Sequence, residues 1–206
     1  MVIHVEILVE EPSMEAALRL IVPKIVGELS FEVYPHQCKQ DLLDKLPERL
    51  QGYAVWLPED WRIMVLVDRD DDDCYRLKQL LDTMAQNAGL RTRAQDRSAK
   101  TQVVNRLAIE ELEAWFFGDW NAMKSAYPKV NAGIPGKQGY RNPDAIAGGT
   151  WEALERILQR AGYFRSGLRK IEAARAIAHH MEPRSNRSGS FQAFRDALSE
   201  MAPRAK

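Results

Sequence analysis

An α/β fold, a mostly parallel sheet flanked by helices and followed by a helical C-terminal extension, is predicted for this chain of 206 residues by three observations. Short β-branched runs alternate with stretches of helical periodicity, the order that a parallel sheet with crossover helices requires. One run, Ile63-Met64-Val65-Leu66-Val67, is apolar at every position, as in a strand covered on both faces. Beyond about residue 150 only helical patterns remain.

The elements follow in order. Ile3, Val5, Ile7 and Val9 alternate with His4 and Glu6, a first strand with one strongly apolar face. It stops at Glu10-Glu11-Pro12. Ser13 reads as a helix N-cap, and Met14, Ala17, Leu18, Ile21 and Ile25 carry helical spacing until Pro23 kinks or ends it. Residues 31 to 34 suggest a second strand, and residues 38 to 60 a helix and loop broken by Pro47 and Pro58. The third strand, 63 to 67, ends abruptly at Asp68. Leu77, Leu80, Leu81, Met84 and Ala88 then mark a helix closed by Gly89. Leu90 to Ala94 predicts a short strand, and Val103 to Ile109 a further one that passes into a helix through Glu110 to Phe117. Residues 128 to 150, dense in Pro, Gly and Asn, read as a long loop. Three helices complete the chain, the first capped by Thr150, the second carrying Leu168 to Met181, the third capped by Ser190. The division predicted is a catalytic unit over residues 1 to 120 and a loop and helical extension over 121 to 206 packed on it.

Composition excludes several classes. With 45% hydrophobic and 28% charged residues the chain is neither disordered nor collagenous. No apolar run approaches the ~20 residues of a membrane helix, so no membrane association is expected. Glu6 and Glu10 interrupt the first apolar stretch, which argues against a secretory leader. Cys38 and Cys74 lack the spacing of a disulfide framework or zinc cluster, and the expected location is the cytoplasm. The 29 basic and 29 acidic residues cancel overall but not locally. Residues 165 to 206 hold nine Lys and Arg against four Asp and Glu, residues 91 to 106 hold five against one, and residues 68 to 73 are five Asp and one Arg. An acidic point beside basic segments suggests a metal site that handles an anion, although any single charge run also reads as solvated surface.

In an open parallel sheet the C-terminal strand ends face one crevice, where ligands bind. Glu10 lies just past the first strand, and Asp68 and Asp70 just past a central one, so three carboxylates converge there. Hard oxygen donors of this kind suit Mg²⁺ or Mn²⁺. Asp72 adds a fourth to the same loop. Glu110 and Glu113, three residues apart on an expected helix, share a face and could supply a second ion. An amphipathic helix with those glutamates facing water reads equally well. An Asp at a helix start can also be a cap, and Asp72 or Asp73 stands nearer that start than Asp68 does. A calcium loop fails, because its sixth and twelfth positions are Asp73 and Gln79 in place of Gly and Glu. A haloacid-dehalogenase phosphatase places its Asp-x-Asp on the first strand, which here ends in Glu10. No Gly-x-x-x-x-Gly-Lys-Ser/Thr occurs, so ATP hydrolysis would belong to a partner.

A strand ending in Glu10-Glu11-Pro12-Ser13-Met14-Glu15, followed by a hydrophobic strand ending in Asp68-Arg69-Asp70, resembles the Toprim fold of topoisomerases, primases and the overcoming-lysogenization-defect nucleases. Glu11 stands where that pattern usually has Gly, and the second acid comes one position late. The wider set Val67-Asp68-Arg69-Asp70, Glu110-Glu111-Leu112-Glu113-Ala114-Trp115 and Gly118-Asp119 resembles a family of small bacterial Toprim-like proteins often encoded beside an ABC/SMC-type ATPase. The resemblance implies a Mg²⁺-dependent nuclease, with a role in phage defence. Asp68 and Asp70 would hold a metal, and Glu10 a metal or the attacking water's proton. Glu110 and Glu113 would complete a second site. The phosphate backbone, of DNA rather than RNA, would meet Arg97, Lys100, Arg106 and Lys137. Two alternatives stand beside this reading. One is a non-enzymatic or partner-activated subunit of the ATPase, and Glu11 in place of Gly favours it. The other is a metal-dependent nucleotide phosphohydrolase.

Overall fold

The computed structural model describes residues 2–95 and 100–202. Four strands, β1 (His4–Val9), β2 (Ser30–Pro35), β3 (Trp61–Asp68) and β4 (Val103–Ala108), form one sheet in the order β2-β1-β3-β4. All three pairings are parallel. The α/β class read from the sequence is the one observed. Helices α1 (Pro12–Val26), α2 (Lys39–Trp56) and α3 (Cys74–Asn87) make the crossovers. After β4 come α4 (Glu113–Gly118), α5 (Trp120–Ala126), α6 (Thr150–Arg160), α7 (Lys170–His180) and α8 (Gly189–Met201).

The pleat of β3 explains its unbroken apolar run. Ile63, Val65 and Val67 pack with Leu42, Leu46 and Leu50 of α2 and Leu77 and Leu81 of α3. Met64 and Leu66 point the other way, into a core shared by α1, α4 and the three C-terminal helices. A strand with a core on each side has no polar face to show in its sequence. On β1, Val5, Ile7 and Val9 face α1, whereas Glu6 and Leu8 lie on the α2 side.

Pro23, expected to kink or end its helix, and Pro47, expected to break one, both sit inside helices that continue past them. A proline costs a helix interior about 3 kcal/mol. In α2 that cost is offset by Leu42, Leu46, Leu50 and Tyr53, all buried along one stripe that runs through Pro47. In α1 the apolar face likewise runs past Pro23 to Val26. The strand expected at 90 to 94 reduces to one bridge between Thr92 and Val103. The loop over 128 to 149 contains three single 3-10 turns, Ile134–Gly136, Gln138–Tyr140 and Pro143–Ala145. The cap of α8 is Ser188, whose Oγ accepts the Phe191 amide at 3.1 Å, and not Ser190. Ser190 Oγ instead accepts Trp115 Nε1 at 3.0 Å and the Ile109 amide at 3.2 Å, tying α8 to α4 and the end of β4.

Gly118 shows how closely the C-terminal segment approaches. A Cβ there would lie 2.0 Å from Asn186 Oδ1, and Asn186 is itself fixed by donating to the Trp115 carbonyl at 2.8 Å. The Arg187 amide donates to the Gly118 carbonyl at 3.0 Å. Among the described residues no helix is long and apolar enough to cross a membrane.

Candidate active site

Parallel pairing of β1 with β3 brings Glu10 and Asp68 to one end of the sheet. Glu10 Oε2 accepts the Asp68 backbone amide at 2.9 Å. Asp68 closes β3 opposite Ala108, and the loop beyond it is pinned to the end of β4. The Arg69 amide donates to the Ala108 carbonyl and the Asp70 amide to the Glu110 carbonyl, each at 2.9 Å. Asp70 turns the chain with φ of 48°, a left-handed conformation that Asp tolerates better than most residues. Asp73 then caps α3 by accepting the Tyr75 and Arg76 amides, so the capping role falls on it and leaves Asp68 and Asp70 without one.

Asp70 and Asp72 share one cation. Lys39, the first residue of α2, places Nζ 2.6 Å from Asp70 Oδ2 and 2.9 Å from Asp72 Oδ2. Asp68 has no such partner. It is 4% exposed, and its Oδ1 is buried without a hydrogen bond.

The helix expected from Glu110 begins at Glu113 instead, because the Glu110 carbonyl is taken by the Asp70 amide and the chain turns before it coils. Glu110 and Glu113 therefore do not share a helical face. Glu110 lies 3.9 Å from Arg69 Nη2 at the edge of the crevice. Glu113 is 2% exposed, with Oε2 buried and unpartnered. Between them Glu111 is structural. Its Oε2 accepts the Thr150 hydroxyl at 2.7 Å and the Trp151 amide at 2.9 Å, which caps α6 where Thr150 was expected to.

Burial dominates the electrostatics. It pushes the Glu10 carboxyl up to about 7 against the lowering effect of the Asp68 amide, with Asp70 adding to the rise. Asp68 is raised well above the ordinary range by burial, then by the charges of Glu10 and Glu113. Glu113 is pushed up to about 7 by burial, partly offset by Lys170. Glu110 is raised by burial and by Glu111. Lys170, the first residue of α7, is a further cation of the crevice, 3.9 Å from Glu11 Oε2. Burial alone would lower its pKa, but Glu113, Glu11, Glu111 and Asp68 outweigh that and leave it raised. Lys39 behaves alike, with Asp70 and Asp72 as the compensating acids.

Among the described residues, no group of three or more His, Cys, Asp and Glu side chains is drawn together tightly enough to hold a metal ion as it stands. The donor chemistry nevertheless fits a hard divalent cation. Among the described residues, Asp68 Oδ1 and Glu113 Oε2 in the crevice are buried without a hydrogen-bond partner, as is Glu152 Oε2 on α6, and unpaired charge is costly there. Asp70 is the mismatch, since its Oδ2 is spent on Lys39.

The basic residues expected to meet phosphate are dispersed. Arg97 lies outside the described residues. Lys100 is exposed beside them, and its carbonyl accepts Arg91 Nε at 2.9 Å. Arg106 donates from Nε to the Ala193 carbonyl and from Nη1 to that of Asn105, both at 3.0 Å, and so serves in docking α8. Lys137 is exposed on the loop of 3-10 turns. A different basic surface adjoins the crevice, where Arg169, Lys170 and Arg175 line an open groove of about 710 Å³ along the start of α7, together with Leu168, Ile171 and Glu172.

No curated protein matches this chain. Among solved structures the C-terminal region of the Xanthomonas campestris pv. campestris OLD protein is similar at 17% identity and a TM-score of 0.46, over 95% of this chain and 96% of that one. Residues 9–199 match the family described as Domain of unknown function (DUF4276), and the chain belongs to that family.

Proposed function

We propose that the crevice is the metal-dependent active site of a Toprim-type nuclease that hydrolyses phosphodiesters with Mg²⁺ or Mn²⁺. The observation that carries this reading is the pair of buried oxygens on Asp68 and Glu113 without a hydrogen-bond partner among the described residues, with Glu10 against the Asp68 amide. Three buried carboxylates with raised pKa are costly in a protein that uses them only for packing. Asp68 and Asp70 would hold one ion, with Glu113 reaching the same space and Glu110 at its rim. A divalent ion bound there polarises the phosphoryl oxygen and acidifies water. Glu10 would either join the ligands of that ion or take the water's proton on a carboxylate oxygen. Lys170 supplies positive charge for a non-bridging phosphate oxygen, and the groove beyond it, with Arg169 and Arg175, offers the backbone a path. DNA is the preferred substrate and phage defence the setting the sequence resemblance implies.

One observation favours a second reading. Asp70 is held by Lys39, so the site stands incompletely assembled, which suits a subunit activated by an ABC/SMC-type ATPase partner.

The test is cleavage of supercoiled plasmid, linear DNA, RNA and free nucleotides in Mg²⁺, Mn²⁺ and EDTA, with Asp70→Ala prepared identically. Metal-dependent cutting of nucleic acid, reduced at least 100-fold in Asp70→Ala, is the expected result. Cutting that survives in EDTA, or equally in the variant, overturns the reading. Hydrolysis of nucleotides alone replaces it with a phosphohydrolase. Metal binding without cutting by the wild type moves the function to the partner-activated form.

A further inference from the structure

The acidic loop already holds a cation of the protein's own. Lys39 Nζ lies 2.6 Å from Asp70 Oδ2 in an ion pair and donates to Asp72 Oδ2 at 2.9 Å and to the Arg69 carbonyl at 3.1 Å. Three oxygens thus surround the ammonium, two of them charged. A positive charge in the first turn of a helix is opposed by the helix dipole, so the aspartates, and not α2, account for the position of this lysine. Asp68 and Glu113, 4% and 2% exposed, each keep a buried oxygen without a hydrogen bond among the described residues. The carboxylate set is thus divided, with Asp70 neutralised and Asp68 and Glu113 left unpaired.

We infer that Lys39 is a built-in competitor for the metal. A divalent cation gains Asp70 only by displacing the ammonium from it, so Lys39 sets the concentration at which the site loads. This rests on the metal reading proposed above. A divalent ion brings twice the charge of the ammonium to a cluster that includes Asp68, with which Lys39 makes no ion pair among the described contacts. The exchange does not expel the lysine, because Asp72 and the Arg69 carbonyl remain as its partners. The competition also rejects weakly charged ions, since a monovalent cation offers Asp70 no more than Lys39 already does.

The experiment is calorimetric titration of Mn²⁺ into the full chain at pH 8 for wild type, Lys39→Met and Lys39→Gln. The Mn²⁺-induced rise in Tm is measured in parallel. Both variants are expected to bind Mn²⁺ at least fivefold more tightly than wild type and to show a larger rise in Tm. In the Asp70→Ala background the gain should vanish, because the contested ligand is gone. Unchanged affinity in both variants overturns the inference and leaves the metal reading standing. Weaker binding also overturns it and makes Lys39 a residue that positions the loop for the ion. No Mn²⁺ binding by any of the proteins overturns the metal reading together with the inference. If Lys39→Met fails to fold, Lys39→Gln, whose amide still donates to the Arg69 carbonyl, decides alone.

Discussion

Glu6 and Glu10 belong to the same stretch of chain and are both buried, at 4% and 7% exposure, yet the protein treats them oppositely. Glu6, at the start of the sheet, is surrounded by donors. His4 Nε2 stands at 2.8 Å, the Tyr53 hydroxyl donates at 2.5 Å and the Tyr34 hydroxyl at 3.5 Å. Arg49 closes the group by stacking on Tyr34 with 4.2 Å to the ring centre. Burial and Glu6 together push the Tyr53 hydroxyl far above its ordinary pKa, so it remains a donor. Glu10, at the other end, has one backbone amide and several other acids for neighbours. Burial alone therefore does not tell the two carboxylates apart; the donors around each do, and under the proposed nuclease reading Glu10 is the one left short for chemistry.

The sharpest way to break that contrast is to remove each charge in turn. Glu10→Gln should lower metal-dependent cleavage by about 100-fold or more while leaving the Tm unchanged or higher. Glu6→Ala should do the reverse. Leaving the His4 and Tyr53 donors buried and unpaired costs about 3 kcal/mol in chemical denaturation, with activity per folded molecule retained. A pair of variants that lose activity and stability in the same proportion would erase the distinction.

The pH dependence sharpens it next. Glu10 and Glu113 have folded pKa values of about 7, above the ordinary 4.5, so between these limits the folded state binds more protons than the unfolded one. Their contribution to stability is fully present below pH 4.5 and is lost as pH rises through 7. Denaturation in EDTA should show a metal-free protein more stable at pH 5 than at pH 8, by on the order of 3 kcal/mol per group. Glu10→Gln with Glu113→Gln should flatten the slope, and an undiminished slope in the double variant would show that other groups carry it.

The smallest effect separates the neighbouring aspartates. Asp73→Ala removes the cap of α3 and should cost about 1 kcal/mol with little effect on metal affinity, whereas Asp70→Ala should weaken Mn²⁺ binding strongly while leaving that cap in place. Urea midpoints and Mn²⁺ titrations of the two variants test this directly.

Much of this was legible in the residues. The all-apolar run of β3 and the acids past its end and past β1 predicted a parallel sheet with Glu10 and Asp68 together at one end of it, and the sheet and that placement are observed. Pro47 misled, because the buried stripe that carries α2 through it is a tertiary effect that the local propensity of a proline does not show. Glu110 to Glu113 misled for a similar reason. The partners that divide their roles are the Asp70 amide on one side and Thr150 and Trp151 on the other, and no local pattern announces them. Lys39 and Lys170 escaped notice altogether, although a signal existed. Each begins a helix, where the dipole disfavours a positive side chain, and a lysine in that position marks an acid nearby in space.

Lys24, near the end of α1, donates to the carbonyls of Ala178 at 3.0 Å, His179 at 2.7 Å and Met181 at 2.9 Å, and so caps the C-terminal end of α7. The outer side of the first helix is therefore finished by one of the last. A chain emerging from the ribosome can pair β1 with β2 and β3 early, but α1 waits with one flank uncovered until some 150 further residues have been made. At about 5–20 residues per second that is an interval of several seconds or more. During it the covering of one face of the sheet is incomplete, and the protein is most exposed to wrong association before its final two helices exist.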